Sequence, residues 1–140
     1  MDLIIKEYAP ENETEVVELW QATGLVTQAN NPHKDIARKL LVDPDLFLVG
    51  WQDSELVATV MGGYEGHRGW INYLAVADSS QKKGLGLAMM QAIEQRLLEK
   101  GCPKINLQIR SSNKGVIDFY RQLEYVEDKV VSMGKRLVLD

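Results

Sequence analysis

The chain has 140 residues, a hydrophobic content of 45% and a formal net charge of −4. This length suits one domain with a sizeable core, so residues 1–140 are predicted to form a single domain. The acidic balance and the lack of a basic stripe argue against nucleic acid as a partner. No apolar run is long enough to span a bilayer and no signal-peptide pattern is visible, so we expect no membrane association.

The few cysteines and histidines restrict the chemistry further. Cys102 is the single cysteine and cannot form an internal disulfide, which is typical of a protein in the reducing cytoplasm. No histidine is near it in sequence, so a structural thiol is predicted rather than a nucleophile. The two histidines, His33 and His67, have no zinc-ligand spacing with each other or with Cys102, so no metal is predicted.

The first half of the chain reads as a strand, two helices and a hairpin. A strand over residues 3–8 precedes Asn12, which with Glu15 predicts a capped helix that ends at Gly24. Asn31 and Pro32 form a typical helix start, and that second helix is predicted to run to about Val42. Two strands follow at 46–51 and 56–64, joined by a hairpin turn at 52–54.

The next stretch reads as a strand, a glycine loop and a helix. Residues 71–76 are rich in β-branched and aromatic side chains and are predicted to form a strand. The glycine loop is predicted at 81–86 and the helix at 87–100, where apolar residues recur at helical spacing until Gly101 ends it. At the start of this helix, unpaired backbone N–H groups, the positive end of the helix dipole and the two lysines Lys82 and Lys83 would lie together. Such an arrangement binds phosphate or pyrophosphate. The candidate binding residues are Gln81, Lys82, Lys83, Gly84, Leu85, Gly86, Leu87 and Ala88.

A glycine turn between a strand and a helix often binds nothing, so the type of loop matters. The P-loop pattern G-x-x-x-x-G-K-[ST] is absent. A dinucleotide pattern G-x-G-x-x-G would start at Gly84, but Met89 occupies its third glycine position. We therefore predict that neither ATP nor NAD binds specifically at this loop.

A second segment carries polar and aromatic residues at regular spacing. A short strand at 104–110 leads to Asn113 and then to a helix that contains Tyr120, seven positions later. Two final strands are predicted, around 125–127 and 130–138. The order of elements predicts an α/β layered domain with a mixed, largely antiparallel sheet.

The spacing of Gln81, Gly84 and Gly86, followed by Asn113 and Tyr120, resembles the two signatures of the GNAT N-acetyltransferase superfamily. The resemblance spans nearly the whole chain and is nearest to small bacterial acetyltransferases, while residues 113–125 are similar to the ribosomal-protein alanine N-acetyltransferases. It implies a GNAT fold whose central strands splay apart to admit acetyl-CoA. It also implies transfer of the acetyl group to a primary amine by direct attack in a ternary complex, and by analogy a homodimer formed through the C-terminal strands or sheet edges.

The same resemblance implies roles for individual residues. Backbone N–H groups at Leu74, Ala75 and Val76 would pair with the pantetheine arm and meet the developing oxyanion. Asn113 and residues 81–88 would help to bind acetyl-CoA. Tyr120 would protonate the departing thiolate, although helical spacing alone favours a packed core aromatic.

The general base is left open by the sequence. The ribosomal-protein alanine acetyltransferases typically carry a glutamate at the position of Gln108, which cannot usefully accept a proton. Glu65 and His67 in the loop before the central strand are the other catalytic candidates, but a solvated turn and a water chain without a dedicated base are equally open. The acceptor is either a small amine or a protein N-terminus, and the alternative class is a non-catalytic acyl-CoA-binding module, against which Tyr120 argues.

Overall fold

The structure, a computed structural model, describes residues 2–140. Its backbone forms two compact units, one that ends at Leu107 and one that spans Gln108–Asp140. The single-domain organisation stays a prediction. Within the described residues, no helix is both long and apolar enough to cross a membrane. The elements of the first unit are β1 (Ile4–Glu7), α1 (Glu13–Ala22), α2 (Pro32–Lys39), β2 (Phe47–Gln52), β3 (Glu55–Tyr64), β4 (Gly69–Val76), α3 (Leu85–Glu99) and β5 (Ile105–Leu107), and the second unit contains α4 (Lys114–Gln122).

The five strands form one sheet in the order β1-β2-β3-β4-β5. Its first three strand pairs are antiparallel and the pair β4–β5 is parallel. The predicted hairpin between β2 and β3 is present, with Asp53 and Ser54 at φ values of 50° and 67°, as a two-residue turn of matching twist requires. The predicted mixed and largely antiparallel sheet is therefore confirmed.

Helices cover both faces of this sheet. Met61 of β3 belongs to the core cluster that includes Val16 and Trp20 of α1. Its neighbour Gly62 faces α3, where a Cβ atom would come within 2.8 Å of the Ile93 side chain. Because successive strand residues point to opposite faces, α1 and α3 lie on opposite sides of β3. The layered α/β prediction is confirmed.

The helix ends differ from the predictions in detail. The Asn12 side chain does not cap α1; its Oδ1 accepts from the Ala9 N–H at 3.0 Å, because the chain already turns at residues 10–12. Asn31 does cap α2, since its Oδ1 accepts from the Lys34 N–H at 3.2 Å. That helix ends at Lys39 rather than near Val42, because its last turn tightens into three-residue hydrogen bonds.

Later elements also start or stop at different residues. Helix α3 begins at Leu85, so Gly86 lies in its first turn rather than in the loop, and Gly101 follows its end at φ 87° as predicted. Strand β5 is three residues long instead of seven, because only those residues pair with β4. The prediction therefore placed too much of 104–110 in a strand.

The prediction of two final strands is wrong for the described residues. Residues 123–140 contain no regular strand or helix. Their composition favours strands, but β-propensity stabilises a strand only when a neighbour pairs and packs with it. Here the large apolar side chains stay exposed instead, namely Val126, Val130, Val131, Met133, Leu137, Val138 and Leu139.

Candidate functional site

Strand β4 is paired on its β5 side only where it begins. The register runs from Gly69 opposite Ile105 to Ile71 opposite Leu107 and then stops, because β5 ends. Strand β4 continues to Val76 while pairing with β3 on its other side. The later half of β4 therefore has one edge without a partner strand among the described residues of the first unit.

A β-bulge interrupts β4 at the start of this open edge. Thr59 pairs with Ala75 and Met61 pairs with Asn72, so one residue of β3 opposes two of β4. One of those two, Tyr73, has a φ of +52°, which is unusual for a bulky side chain. The bulge therefore determines which backbone N–H and C=O groups of the rest of β4 point toward β3 and which point away from it.

The hydrogen bonds after the bulge show which N–H groups face the open edge. The Ala77 N–H donates to the Val57 carbonyl oxygen of β3 at 2.8 Å. Because N–H groups alternate in direction along a strand, those of Leu74 and Val76 point away from β3 and those of Ala75 and Ala77 point toward it. Of the three predicted residues, Leu74 and Val76 thus present their N–H groups to the open edge, and Ala75 does not.

The glycine loop follows β4 directly. The Gln81 side chain donates to the Val76 carbonyl oxygen and to Asp78 Oδ1, both at 3.1 Å, which ties the loop to the end of the strand. Gly84 adopts a left-handed φ of 79° and precedes α3, and a Cβ atom there would meet nothing within 4 Å. The space beside Gly84 is therefore open.

The charge at this helix start is favourable for an anion. The Ala88 N–H makes an early helical bond, to Gly84 at 3.1 Å, so the N–H groups of residues 85–87 precede the hydrogen-bond ladder. Lys82 and Lys83 are exposed, and the first turn contains no acidic residue. Unpaired N–H groups, two cations and the helix dipole together suit a phosphate group.

The second unit holds Asn113 and Tyr120 on one helix. Asn113 caps α4, where its Oδ1 accepts from the Val116 N–H at 3.3 Å. Tyr120 is 6% exposed and packs edge-on against Phe119 and Tyr125, with ring centroids 5.0 and 5.5 Å apart. Burial raises the pKa of Tyr120 from 10.0 to about 12, so its hydroxyl keeps its proton to a higher pH than an exposed tyrosine does.

Gln108 has a polar partner within the same unit. Its side-chain Nε2 donates to Ser132 Oγ. An amide does not gain or lose a proton near neutral pH, so this group can orient a neighbour but cannot act as a base.

Glu65 and His67 lie at the other end of β4 from the glycine loop. They belong to the turn before Gly69, whereas the loop follows Val76, and an eight-residue strand is about 25 Å long. The Glu65 carboxylate accepts from the backbone N–H groups of His67 at 3.1 Å and Arg68 at 2.6 Å. These contacts stabilise the turn itself. A role for Glu65 and His67 on the acceptor side of the site stays a prediction.

Sequence reasoning missed a partly buried polar cluster around Tyr73. The Tyr73 hydroxyl donates to Asp35 Oδ2 at 2.6 Å and accepts from Asn30 Nδ2 at 2.5 Å. Its ring stacks on Trp20 with centroids 3.7 Å apart. Trp20 Nε1 donates to Thr59 Oγ1 at 2.9 Å, and that hydroxyl donates to the Tyr73 carbonyl oxygen at 2.8 Å. The sequence held no sign of this cluster, because its members are separated by up to 53 positions, from Trp20 to Tyr73 (73 − 20).

Metal ligands are not assembled in the part of the chain that the structure describes. No group of three or more His, Cys, Asp or Glu side chains there could hold a metal ion. His33 instead contacts Glu13, with Nδ1 and Oε2 2.6 Å apart. Cys102 is buried, and its Sγ donates to the Lys104 carbonyl oxygen at 3.3 Å.

Comparison with known proteins points to one family. Residues 5–125 match the Acetyltransferase (GNAT) family. An acetyltransferase of Sodalis glossinidius is 43% identical over 137 residues, which cover 97% of this chain and 96% of that protein. Both the sequence match and the fold therefore lead to the same superfamily that the two motifs indicated.

Solved structures confirm the fold at lower identity. The ribosomal-protein-S18-alanine N-acetyltransferase from Escherichia coli has a TM-score of 0.78 at 18% identity, covering 91% of this chain and 80% of that chain. An N-acetyltransferase from Thermoplasma acidophilum, in complex with coenzyme A, has a TM-score of 0.78 at 16% identity, covering 88% and 89%. The chain belongs to the GNAT family of acetyltransferases.

Proposed function

We propose that this protein transfers the acetyl group of acetyl-CoA to a primary amine by direct attack in a ternary complex. The carrying observation is the open edge of β4, with the N–H groups of Leu74 and Val76, followed at once by the glycine loop of α3. Coenzyme A has amide groups in its pantetheine arm and a pyrophosphate at its other end. The edge of β4 can pair with the amide groups, and the start of α3 can bind the pyrophosphate. The two sites follow each other along the protein in the order of the two groups along coenzyme A.

The pyrophosphate would meet residues Gln81–Ala88. Gln81 holds the loop against β4, and the left-handed Gly84 turns the chain so that the N–H groups of residues 85–87 face outward. Lys82 and Lys83 add two positive charges that the first turn of α3 does not neutralise. Because the protein's net charge is −4, these two cations offset the repulsion that an anion would otherwise meet here.

The acetyl group would lie at the open edge near the bulge. An N–H of Leu74 or Val76 donates to the thioester oxygen, and this hydrogen bond strengthens as the oxygen becomes an oxyanion. Tyr120, whose hydroxyl is protonated at neutral pH and whose pKa burial raises further, is the proposed donor to the departing thiolate. The amine loses its proton to water, since Gln108 is not a base.

Two acceptor classes remain in competition. The first is a small amine, and the second is a protein N-terminus, the acceptor named for the Escherichia coli neighbour. Gln108 stands where the ribosomal-protein enzymes typically carry glutamate, which favours the first class. A non-catalytic acyl-CoA-binding module is the third reading, and the protonated Tyr120 argues against it because binding alone needs no proton donor.

Ligand binding is the first test. Acetyl-CoA at millimolar concentration should raise the melting temperature, whereas NAD and ATP should not. Gly86→Leu, in the first turn of α3, should abolish the shift by blocking close approach to the backbone. Gly134→Leu is the control, because Gly134 lies outside the glycine loop, a Cβ atom there would meet nothing within 4 Å, and its φ is not in the left-handed region. No shift for the wild-type protein would contradict the proposal.

Turnover is the second test. Release of free thiol from acetyl-CoA should be measured with small amines, polyamines, amino acids and peptides with alanine or other small N-terminal residues. Acetylation of any amine supports the proposed enzymatic activity. The class that is acetylated fastest shows whether the acceptor is a small amine or a protein N-terminus. Binding of acetyl-CoA without thiol release from the whole panel would support the non-catalytic reading.

The turn before β4 can be tested once an acceptor is known. Glu65→Gln and His67→Ala should leave kcat and KM unchanged if the turn is only structural, as the contacts of Glu65 favour. A raised acceptor KM in either variant would instead place the turn at the acceptor side.

A further inference from the structure

We infer that Tyr73 is a positioning residue whose side chain holds the β4 bulge in the geometry that directs the Leu74 and Val76 N–H groups to the open edge. The contacts of Tyr73 with Trp20, Asp35 and Asn30 are here called the Tyr73 anchor. The inference rests on the proposed function, because it assigns those N–H groups to acetyl-CoA. It goes beyond that function by naming supporting side chains on α1, on α2 and in the loop before α2.

The backbone of Tyr73 is costly to hold in place. Its φ of +52° is in the left-handed region, where a bulky side chain is strained by about 1–2 kcal/mol. Such a conformation persists only when the surrounding structure fixes it, and it is typical of functional sites. Glycine would remove the strain, so a tyrosine here indicates that its side chain has a task.

The Tyr73 anchor fixes the residue from three directions. The ring is stacked on Trp20, which is fully buried. The hydroxyl donates to the Asp35 carboxylate and accepts from the Asn30 amide, so both of its hydrogen-bonding roles are used. Burial, together with the hydrogen bond to Asp35, raises the pKa of Tyr73, which keeps this hydroxyl a donor over the whole working range of pH.

The backbone oxygen of the same residue is fixed as well. Thr59 Oγ1 donates to the Tyr73 carbonyl oxygen at 2.8 Å while accepting from Trp20 Nε1. The peptide plane between Tyr73 and Leu74 carries both that oxygen and the Leu74 N–H, which point in opposite directions. Holding the oxygen toward Thr59 therefore holds the Leu74 N–H toward the open edge.

Three variants test the inference. Tyr73→Phe removes both hydroxyl contacts but keeps the stacked ring. Asp35→Ala removes the acceptor, and Asp35→Asn restores a neutral one. Lys39→Met is the control, because it removes a buried hydrogen bond to Gly62, on the other side of the bulge from Ala75, and removes no contact of the Tyr73 anchor.

Two readouts distinguish positioning from general stability. Calorimetry should show acetyl-CoA binding weakened roughly tenfold in Tyr73→Phe and Asp35→Ala, as expected when one or two hydrogen bonds lose their alignment, and less in Asp35→Asn. Hydrogen exchange of the Ala77 amide, which donates to Val57, should quicken in the first two variants without any ligand. Lys39→Met should bind acetyl-CoA as wild type does, and its Ala77 amide should exchange faster only by as much as its lower global stability accounts for. Wild-type affinity in Tyr73→Phe and Asp35→Ala, or an equal loss in Lys39→Met, would overturn the inference.

Failure of the proposed function would look different. In that case wild type itself would not bind acetyl-CoA, and the Ala77 amide would still report whether the Tyr73 anchor holds the bulge. Unchanged exchange in Tyr73→Phe and Asp35→Ala would then overturn the inference on its own.

Discussion

Lys39 of α2 donates a hydrogen bond to the carbonyl oxygen of Gly62 on β3. Strand β2 begins at Phe47, opposite Met61, so β3 extends beyond it without a partner strand on that side. Asp43 completes the arrangement, since its Oδ2 accepts from the Tyr64 N–H at 3.3 Å. Two side chains thus replace a strand along the overhanging end of β3, which satisfies groups that would otherwise stay unpaired.

The first prediction concerns the stability that this contact provides. Lys39→Met should lower the free energy of unfolding by about 1–3 kcal/mol, because the buried Gly62 carbonyl oxygen loses its donor. Lys34→Met is the matched control on the same helix, where the side chain is exposed, and should change stability by less than about 0.5 kcal/mol. Chemical denaturation of both variants measures the difference. Equal stability of Lys39→Met and wild type would contradict the assignment.

The same variant carries a pH dependence. Burial lowers the pKa of Lys39 below its ordinary value of 10.5, while Asp43 and Asp45 oppose that shift. Between the folded pKa and 10.5 the unfolded chain binds more protons, so the stability contributed by Lys39 rises with pH in that window. The difference in stability between wild type and Lys39→Met should therefore grow as the pH approaches 10.5. A difference that shrinks with pH would contradict the lowered pKa.

The second prediction compares two glycines that both face open space. A Cβ atom at Gly84 or at Gly115 would meet nothing within 4 Å. Gly115→Ala should stabilise the protein by about 0.4–1 kcal/mol, because Gly115 is helical and alanine restricts the unfolded chain. Gly84→Ala should destabilise by about 1 kcal/mol, because φ is 79° there. Thermal unfolding measures both changes in stability. If both substitutions stabilise or both destabilise the protein, φ does not determine their effect.

Local patterns were sufficient to predict most of this fold. Turn residues, helix caps and alternation gave the hairpin at Asp53 and Ser54, the cap at Asn31 and the stop at Gly101, because each depends only on neighbours in sequence. The final strands failed for the opposite reason: Val130 and Val131 have strand propensity, but pairing depends on a partner that the sequence does not name.

The candidate site likewise has parts that depend on sequence neighbours and parts that depend on long-range contacts. The glycine loop is contiguous, so Gln81, Gly84 and Gly86 could be read together. The left-handed φ of Tyr73 could not, because tyrosine in a strand predicts extended backbone, and the contacts that overrule this preference come from Trp20 and Asp35. Long-range packing, rather than local preference, determines the bulge.

The third prediction concerns Tyr120. Tyr120→Phe should lower kcat roughly 100-fold, the lower range for general acid catalysis, with little change in acetyl-CoA affinity, because the ring stays in place. Since the pKa of Tyr120 is about 12, its hydroxyl should remain a donor up to strongly alkaline pH and should not itself produce a falling limb in kcat near pH 10. Tyr125→Phe is the matched control in ring contact with Tyr120 and should keep wild-type kcat. Wild-type kcat in Tyr120→Phe, when chemistry limits the rate, would remove Tyr120 from the mechanism.

The last prediction concerns the missing base. Gln108→Glu introduces the carboxylate that the ribosomal-protein enzymes typically carry, and Ser132 can still pair with it by donating its own hydroxyl proton. If water alone removes the amine proton in this enzyme, the added carboxylate should leave activity intact or raise it at low pH, where free amine is scarce. The pH profile of kcat/KM measures this, with Ser132→Ala as the control for loss of the contact alone. If the Gln108 amide N–H instead orients the acceptor, the carboxylate repels the acceptor's hydrogen-bond acceptor group and activity falls at every pH, which would assign Gln108 to substrate binding.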